Sequence, residues 1–329
     1  MNVQPVPPKK TPRLSAVDLA RGAALVAMAI YHFTWDLEFF GYTDPGMTAH
    51  GGWKLFARCI ASSFLFLVGF SLFLAHVNGV RWRSFSWRLA MVAGAALAIS
   101  AVTYFAVPGG FIFFGILHQI ALASVLGLAF LRVPAVVTIL AAAAVIAAPF
   151  FLRSPFFDHA AFWWVGLSSV NPRSNDYVPL FPWFGAVLLG LASAKIAYGT
   201  GLLERLAPYT PGSWAKPVLF ASKHSLAFYL IHQPVLIACI WLFSQIVPAQ
   251  VETREVQFLK SCQTSCEELR DTEFCTAYCV CMLDSIQAEG ALDKLFTGGQ
   301  NNELQTKIGD FAAICTAQTD ENMLEGGTP

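Results

Sequence analysis

Residues 17–40 read VDLARGAALVAMAIYHFTWDLEFF, and the reading of this stretch decides the fold. It is apolar for longer than a soluble core helix needs, and a bilayer is crossed by roughly 20 mostly apolar residues. Working outward, comparable runs occupy about 14–39, 54–77, 86–107, 110–131, 133–152, 179–199 and 219–247. Breakers or charges separate them, including Pro108-Gly109-Gly110, Arg132-Val133-Pro134 and the stretch from Pro208 to Pro217. With 56% hydrophobic residues and a mean hydropathy of +0.55, the chain carries more apolar surface than a water-soluble protein of 329 residues requires. The expected fold class is all-α, a polytopic membrane bundle of about seven transmembrane helices followed by a small disulfide-rich helical tail. The expected segments are a basic N-terminal stretch (1–13), the bundle (14–247) and a cysteine-rich acidic tail (248–329). No small-residue cleavage site follows a short apolar core, so the first run is expected to be retained rather than removed as a signal peptide.

Charge divides the chain in the same way. Residues 1–249 hold 16 Lys and Arg against 7 Asp and Glu, and residues 250–329 hold 5 against 14. The net charge of zero is thus a basic apolar body offset by an acidic tail, a balance that gives no indication of a nucleic-acid partner. Lys9, Lys10, Arg13, Arg81, Arg83, Arg88, Arg132, Lys195, Arg205, Lys216 and Lys223 fall on one set of connections. The alternate set holds mainly Lys54, Arg58, Arg153 and Arg173. Positive residues accumulate on the cytosolic side. The N-terminus is therefore expected inside and, with seven spans, the tail outside, in a bacterial inner membrane whose lipid bilayer surrounds the bundle. Oligomeric state stays open.

Ionisable side chains inside spans are costly and therefore informative. Taking Asp18 as zero and advancing ~100° per residue, Arg21 falls near −60°, His32 near −40° and Asp36 near 0°. Four ionisable groups share one stripe. Asp18 and Arg21, three apart, are placed to pair; the bland alternative is an internal salt bridge with a structural histidine. His50 lies in the outer loop TDPGMTAHGGW, followed by Trp53, Lys54 and Arg58, with Arg58 a candidate partner of Asp36. His118 and Gln119 interrupt the fourth run. Lys223-His224-Ser225 opens the last, and His232-Gln233-Pro234 lies midway along it. His76 and His159 are expected to be solvated, and Cys59 and Cys239 to be inert core thiols. Three function classes fit a bundle with inward imidazoles. One is a transferase; one is a haem-binding or otherwise non-enzymatic bundle with His118 and His232 as axial ligands; one is a small-solute transporter.

Six of the eight cysteines lie in the tail: Cys262, Cys266, Cys275, Cys279, Cys281 and Cys315. The i, i+4 spacing of Cys262/Cys266 and Cys275/Cys279 puts each pair on one helix face. Two short antiparallel helices joined through LRDTEF would be stapled by Cys262–Cys279 and Cys266–Cys275, leaving Cys281 for Cys315. Six cysteines allow 15 connectivities, of which this is one, and the sequence does not choose among them. An outer compartment favours disulfides over a metal site, and the tail contains no histidine. The tail has three readings: a partner-binding module, a lid over an outer acceptor site, or a separate function.

VDLARGAALVAMAIYH (from residue 17), HGGWKLFARCIASSFLFLVGFSLFLA (from residue 50), FFGILHQIALAS, DYVPLFPWFGAVLLG and HSLAFYLIHQP resemble blocks of the heparan-α-glucosaminide N-acetyltransferase catalytic-domain family, over roughly residues 12–247. The resemblance implies a transmembrane acyltransferase that moves an acetyl group from cytosolic acetyl-CoA to an amino sugar or envelope glycan outside, without a metal. It implies that His50, followed by Trp53, is the outer-facing catalytic histidine, serving as base or transient acetyl carrier. Asp18 and Arg21 match the family's pair on the first helix. His32 stands where the animal enzymes have an asparagine, a departure that bears on acceptor choice, and is expected to assist His50. Arg58, His118, Trp183 and His232 join Asp18, Arg21 and Trp53 as substrate-binding candidates. Arg81, Arg83, Arg88, Lys216 and Lys223 supply positive charge for the CoA phosphates, with Arg81, Arg83 and Lys223 the foremost candidates, where fixed cations suit anionic oxygens. An imidazole that titrates near neutral pH suits deprotonation of the acceptor.

Overall fold

The computed structural model describes residues 14–249, 253–296 and 302–325. Lys9, Lys10 and Arg13, which the orientation argument uses, lie outside them. Among the described residues the chain is all-helical. The apolar helices are α1 (Ser15–Phe39), α2 (Gly51–His76), α3 (Trp82–Ala106), α4 (Ile116–Ala129), α5 (Ala135–Phe151), α6 (Leu180–Gly199) and α9 (Ser225–Ile246). Short helices α7 (Leu202–Leu206) and α8 (Lys216–Lys223) precede α9. The tail forms α10 (Arg254–Cys266), α11 (Thr272–Ala288), α12 (Leu292–Phe296) and α13 (Asn302–Glu325).

Five of these helices (α1, α2, α3, α6 and α9) are long and apolar enough to cross a membrane, whereas α4 and α5 are apolar but shorter. The seven apolar runs therefore all become helices, and only five reach spanning length. The fourth run loses its first turns because Phe111–Phe114 stays outside the helix, with a bend at Phe113 and Phe114, ahead of the Gly115 cap. The seventh is split at His224, with α8 kept apart from α9.

The chain forms two compact units. The first comprises residues up to 28 and 58–231. Its core is built around α6, where Phe184, Val187, Leu188 and Leu191 are buried with Leu65, Ile116, Ala123 and Ala142. By contrast Leu97, Val102 and Phe105 on α3, and Phe150 and Phe151 on α5, are exposed. Exposing a side chain of this size to water costs about 1.5–3 kcal/mol. These five together reach on the order of 7–15 kcal/mol, as much as the whole stability of a typical domain. Such a surface belongs against lipid tails, where the cost vanishes.

Lys195, expected to flank the loop before the last span, lies near the end of α6 with its ammonium engaged inside the unit. Nζ donates to the carbonyls of Phe130 and Val133 and to Thr138 Oγ1. It thereby satisfies the corner between α4 and α5, whose last carbonyls have no helical partner. Lys195→Ala leaves those carbonyls without their donor and is expected to cost about 2–4 kcal/mol, read as a lowered melting temperature in detergent.

His76, expected in solvent, is also drawn inside: it is buried, and its Nδ1 accepts the Arg81 backbone N–H. His159 is exposed and caps a short 3-10 helix through Nδ1, as a solvated histidine would. Cys59 and Cys239 are free thiols but exposed, on α2 and α9. An apolar thiol is tolerated on the outward face of an apolar helix, and the expected core position is corrected.

The second unit comprises residues 29–57 and 232 onward. Its tail has more structure than the helical hairpin read from its cysteines. Met282, Leu283, Ile286, Ala291, Leu292 and Cys315 form a core against which Phe258, Leu259, Leu304, Ile308 and Phe311 pack. Three disulfides brace it: Cys262–Cys279, Cys266–Cys275 and Cys281–Cys315. Of the 15 connectivities left open, this is the one in which the two i, i+4 pairs staple antiparallel helices. Closing loops of 17, 9 and 34 residues removes freedom from the unfolded chain, which a small core needs.

Candidate functional site

In the second unit, the last turns of α1 and the start of α2 present His50. Glu38 near the end of α1 accepts from the Gly46 N–H at 2.7 Å, the Thr48 N–H at 2.9 Å and the Thr48 hydroxyl at 2.7 Å. One carboxylate thus gathers the loop ahead of His50. Gly46 and Gly51 flank that turn at φ of 79° and 52°, a left-handed backbone that side-chain-bearing residues rarely adopt. Tyr31 supports the same loop, its hydroxyl donating to the Thr48 carbonyl at 3.4 Å and its ring 6.5 Å from that of Trp53. The His50 imidazole meets the tail: Nδ1 is 3.1 Å from Glu268 Oε1, and Nε2 is 3.2 Å from Ser265 Oγ.

Below this loop His32 and His232 pack edge to face, ring centroids 5.0 Å apart. Asp36 is fully buried, and Gln233 Nε2 donates to its Oδ1 at 2.6 Å. The partner of Asp36 is therefore Gln233, on the helix that also carries His232, rather than the expected Arg58. Arg58 belongs to the first unit and is exposed. His32 Nδ1 and Asp36 Oδ2 are buried without a hydrogen-bond partner. Orphaned polar atoms are costly in an interior and mark places where a ligand's polar groups would be accommodated.

The first unit holds the other half of the stripe. Arg21 pairs with Asp18 at 3.1 Å and donates to Ser71 Oγ at 2.8 Å. The Arg21 side chain borders a cavity of about 430 Å³, with Arg88, Lys223 and His224 on its polar margin and Leu117 and Tyr229 among its apolar walls. Its size is that of a small-molecule site. Arg88 and Lys223 are the cationic candidates brought to this cavity; Arg81 and Arg83 do not line it. Both stay exposed one turn or more earlier on the chain, where α3 begins.

The remaining candidates have structural partners. His118 Nδ1 accepts the Gly115 N–H at 3.2 Å, and Nε2 lies 3.2 Å from Ser100 Oγ. Both ring nitrogens are in use within the protein, which leaves neither for the axial haem ligation considered from sequence. Trp183 packs against the core around α6 rather than facing the cavity.

Sequence reading passed over several groups. Asp176, in the connection before α6, accepts the Ile116 N–H at 2.9 Å and lies 3.5 Å from the Tyr229 hydroxyl, so it caps α4 and braces a cavity wall. Burial pushes its carboxyl above the usual range, although the Ile116 N–H opposes this. Glu38, Ser265 and Glu268 were passed over as well; Glu38 acts eight and ten positions on, Ser265 and Glu268 more than 200 positions back, and no spacing rule signals either.

Five helices long and apolar enough to cross a membrane and two shorter apolar ones fit a multi-pass membrane protein, with the buried Asp36 on α1 among its ionisable groups. The family model for heparan-alpha-glucosaminide N-acetyltransferase, catalytic, matches residues 13–234. The match covers well over half of the chain, and the chain belongs to this family of transmembrane transferases. No curated protein and no solved structure matches it. The tail lies beyond the matched residues.

Proposed function

We propose that the protein moves an acetyl group from acetyl-CoA, bound from the cytosolic side, to an amino sugar or envelope glycan at the outer face of a bacterial inner membrane. The N-terminus is then cytosolic and the tail periplasmic, where its disulfides are stable. The observation that carries the reading of the donor is the cavity bordered by Arg21, Arg88 and Lys223. A CoA thioester has anionic phosphates followed by a long, weakly polar arm. Three cations beside apolar walls suit both parts, since charge-assisted hydrogen bonds to phosphate are roughly twice as strong as neutral ones. In the second unit His50 is the general base, with His32 and the buried Asp36–Gln233 pair shaping the place of the acceptor. Asp18 sets the direction of the Arg21 guanidinium.

The test is CoA release by the purified protein in detergent, with and without an amino sugar. Acceptor-dependent release is expected, and its absence over a range of amino sugars and glycans overturns the reading. The donor half has its own measurement. Arg88→Ala and Lys223→Ala are each expected to raise KM for acetyl-CoA by roughly tenfold, the worth of one charge-assisted contact, with kcat within a few-fold. An unchanged KM in both removes the cavity as the phosphate site.

A further inference from the structure

Both ring nitrogens of His50 are met by groups from the tail, and the two groups differ in kind. Glu268 offers a carboxylate, which accepts only, so Nδ1 carries the hydrogen and donates to Oε1 at 3.1 Å. Ser265 offers a hydroxyl at 3.2 Å from Nε2. That hydroxyl has a nearer acceptor in the Ser261 carbonyl, at 2.9 Å. A rotation about its C–O bond moves the hydrogen from one to the other, so Ser265 is a replaceable neighbour of Nε2. Glu268 is held more firmly. Its carboxylate also accepts the Gly51 N–H at 3.4 Å and lies 3.7 Å from Lys54 Nζ. The hydrogen bond from His50, followed by that from Gly51, keeps its carboxyl below the usual glutamate range.

The tail fixes these two residues by covalent means. Ser265 and Glu268 flank Cys266, which is bonded to Cys275, and Cys262 one turn earlier is bonded to Cys279. Ser265 and Cys266 end α10, so the last carbonyls of that helix bring partial negative charge to the imidazole's neighbourhood. Other charged groups around the loop are engaged: Asp44 pairs with Lys260 at 3.0 Å, and Glu38 serves the loop donors. The carboxylate at Nδ1, the hydroxyl at Nε2 and the helix C-terminus all turn electron-rich groups toward the ring. A plug that merely covered His50 would need none of these.

We propose that Glu268 is the positioning residue of the acyl-transfer site. It holds His50 through Nδ1 and stabilises the imidazolium formed when Nε2 takes the acceptor's proton, while the acceptor's nucleophilic atom displaces the Ser265 hydroxyl. The inference rests on the reading of the chain as an acyltransferase with His50 as base. In the step, the acceptor's nitrogen or oxygen lone pair bonds to the thioester carbonyl carbon as one of its protons passes to Nε2. The adduct then collapses, the C–S bond breaks with its electron pair on sulfur, and the CoA thiolate takes the proton back from Nε2. Acetylated acceptor and free CoA thiol leave, and His50 is neutral again. The proton is held in between by a ring whose other nitrogen faces a carboxylate, the arrangement by which carboxylates support catalytic histidines. The tail, outside the family match, is thus part of this protein's site.

The experiment uses the full chain with disulfides intact, acetyl-CoA as donor and glucosamine as acceptor. Glu268→Gln keeps the shape and removes the charge. Its kcat is expected to fall roughly 10- to 100-fold, with KM for acetyl-CoA unchanged. With the anion beside the imidazolium gone, the acid limb of kcat/KM is expected to move to lower pH. Glu268→Asp is expected to recover part of kcat and to return the acid limb toward wild type. In the wild type the Glu268 carboxylate, held below its ordinary value near 4.3, stays ionised throughout that limb, and its support of the ring is lost only at lower pH. If Glu268→Gln leaves kcat and profile unchanged while His50→Ala is inactive, the inference fails and the acyltransferase reading stands. If His50→Ala is fully active, the reading beneath it fails. A loss in Glu268→Gln with no movement of the acid limb, in protein shown by thiol titration to keep its disulfides, marks a structural role and overturns the inference. An acetyl ester recovered on Ser265 after quenching with acetyl-CoA alone overturns it too, since the hydroxyl would then be a carrier.

Discussion

His50→Ala removes acyl transfer, with kcat expected to fall by about 10²–10⁴-fold, the usual worth of a positioned acid–base group, while the melting temperature stays within a few degrees of wild type. The two halves of this expectation have separate grounds. Activity falls because the thioester carbonyl is already reactive enough that the remaining task is to take a proton from the acceptor, and no other imidazole in the second unit stands in its place. His32 and His232 pack edge to face against each other elsewhere in the same unit. Stability survives because the imidazole's partners, Ser265 and Glu268, are surface groups that water can satisfy in its absence. The loop itself is held by Glu38, Thr48 and Tyr31, none of which contacts depends on the imidazole. CoA release and a thermal melt on the same preparation check both halves, with His159→Ala, at an exposed cap, as the comparison. Wild-type transfer by the His50→Ala protein would remove the imidazole from the chemistry.

The spans, the stripe on α1 and the i, i+4 cysteine pairs were legible because each follows from a repeat distance: about 20 apolar residues per crossing, 100° per helical residue, four residues per helix face. The pairing of Asp18 with Arg21 is of the same kind, local and three residues apart. What escaped is non-local. Nothing in the spacing of Asp36 and Gln233, separated by 197 positions, indicates that they share a hydrogen bond. Nothing in the acidic tail distinguishes Glu268 from its neighbour Glu267, although only the former reaches His50. The role of Lys195 escaped for a physical reason: charge counting treats each lysine as a solvated cation near a membrane surface, whereas this one also satisfies backbone carbonyls at a helix corner. The shortness of α4 was hidden because Phe111–Phe114 is as apolar as a helix turn, and hydropathy does not separate non-helical from helical backbone.

The largest expected loss of stability comes from two glycines that the sequence offers no reason to notice. Gly69 on α2 and Gly190 on α6 lie in the first unit where the two helix backbones meet. A Cβ added at Gly69 would sit 1.9 Å from the Val187 carbonyl oxygen, and one at Gly190 would sit 1.9 Å from that of Phe66. These are backbone atoms, so no side-chain rotation relieves either clash, and the helices must separate by more than an ångström. On its other side α6 is already tight, with Gly185 against Ile146 and the Ala142 carbonyl of α5, so it has little room to retreat. Between helices in lipid there is no hydrophobic drive to offset a gap, and close contact of small residues supplies the association. Gly190→Ala is therefore expected to cost more than the usual 1–3 kcal/mol of an overpacked core, with little folded protein recovered in detergent. Gly69→Ala should behave alike, and the double variant should be less than additive because one separation relieves both clashes. Gly94→Ala on α3, where nothing lies within 4 Å of the added methyl, is the control. It should melt at or slightly above the wild-type temperature, since alanine favours a helix over glycine by about 0.5–1 kcal/mol. Size-exclusion profiles and thermal melts of these variants test the seam directly: a Gly190→Ala protein that melts like wild type would mean that α2 and α6 are farther apart than 1.9 Å contacts allow.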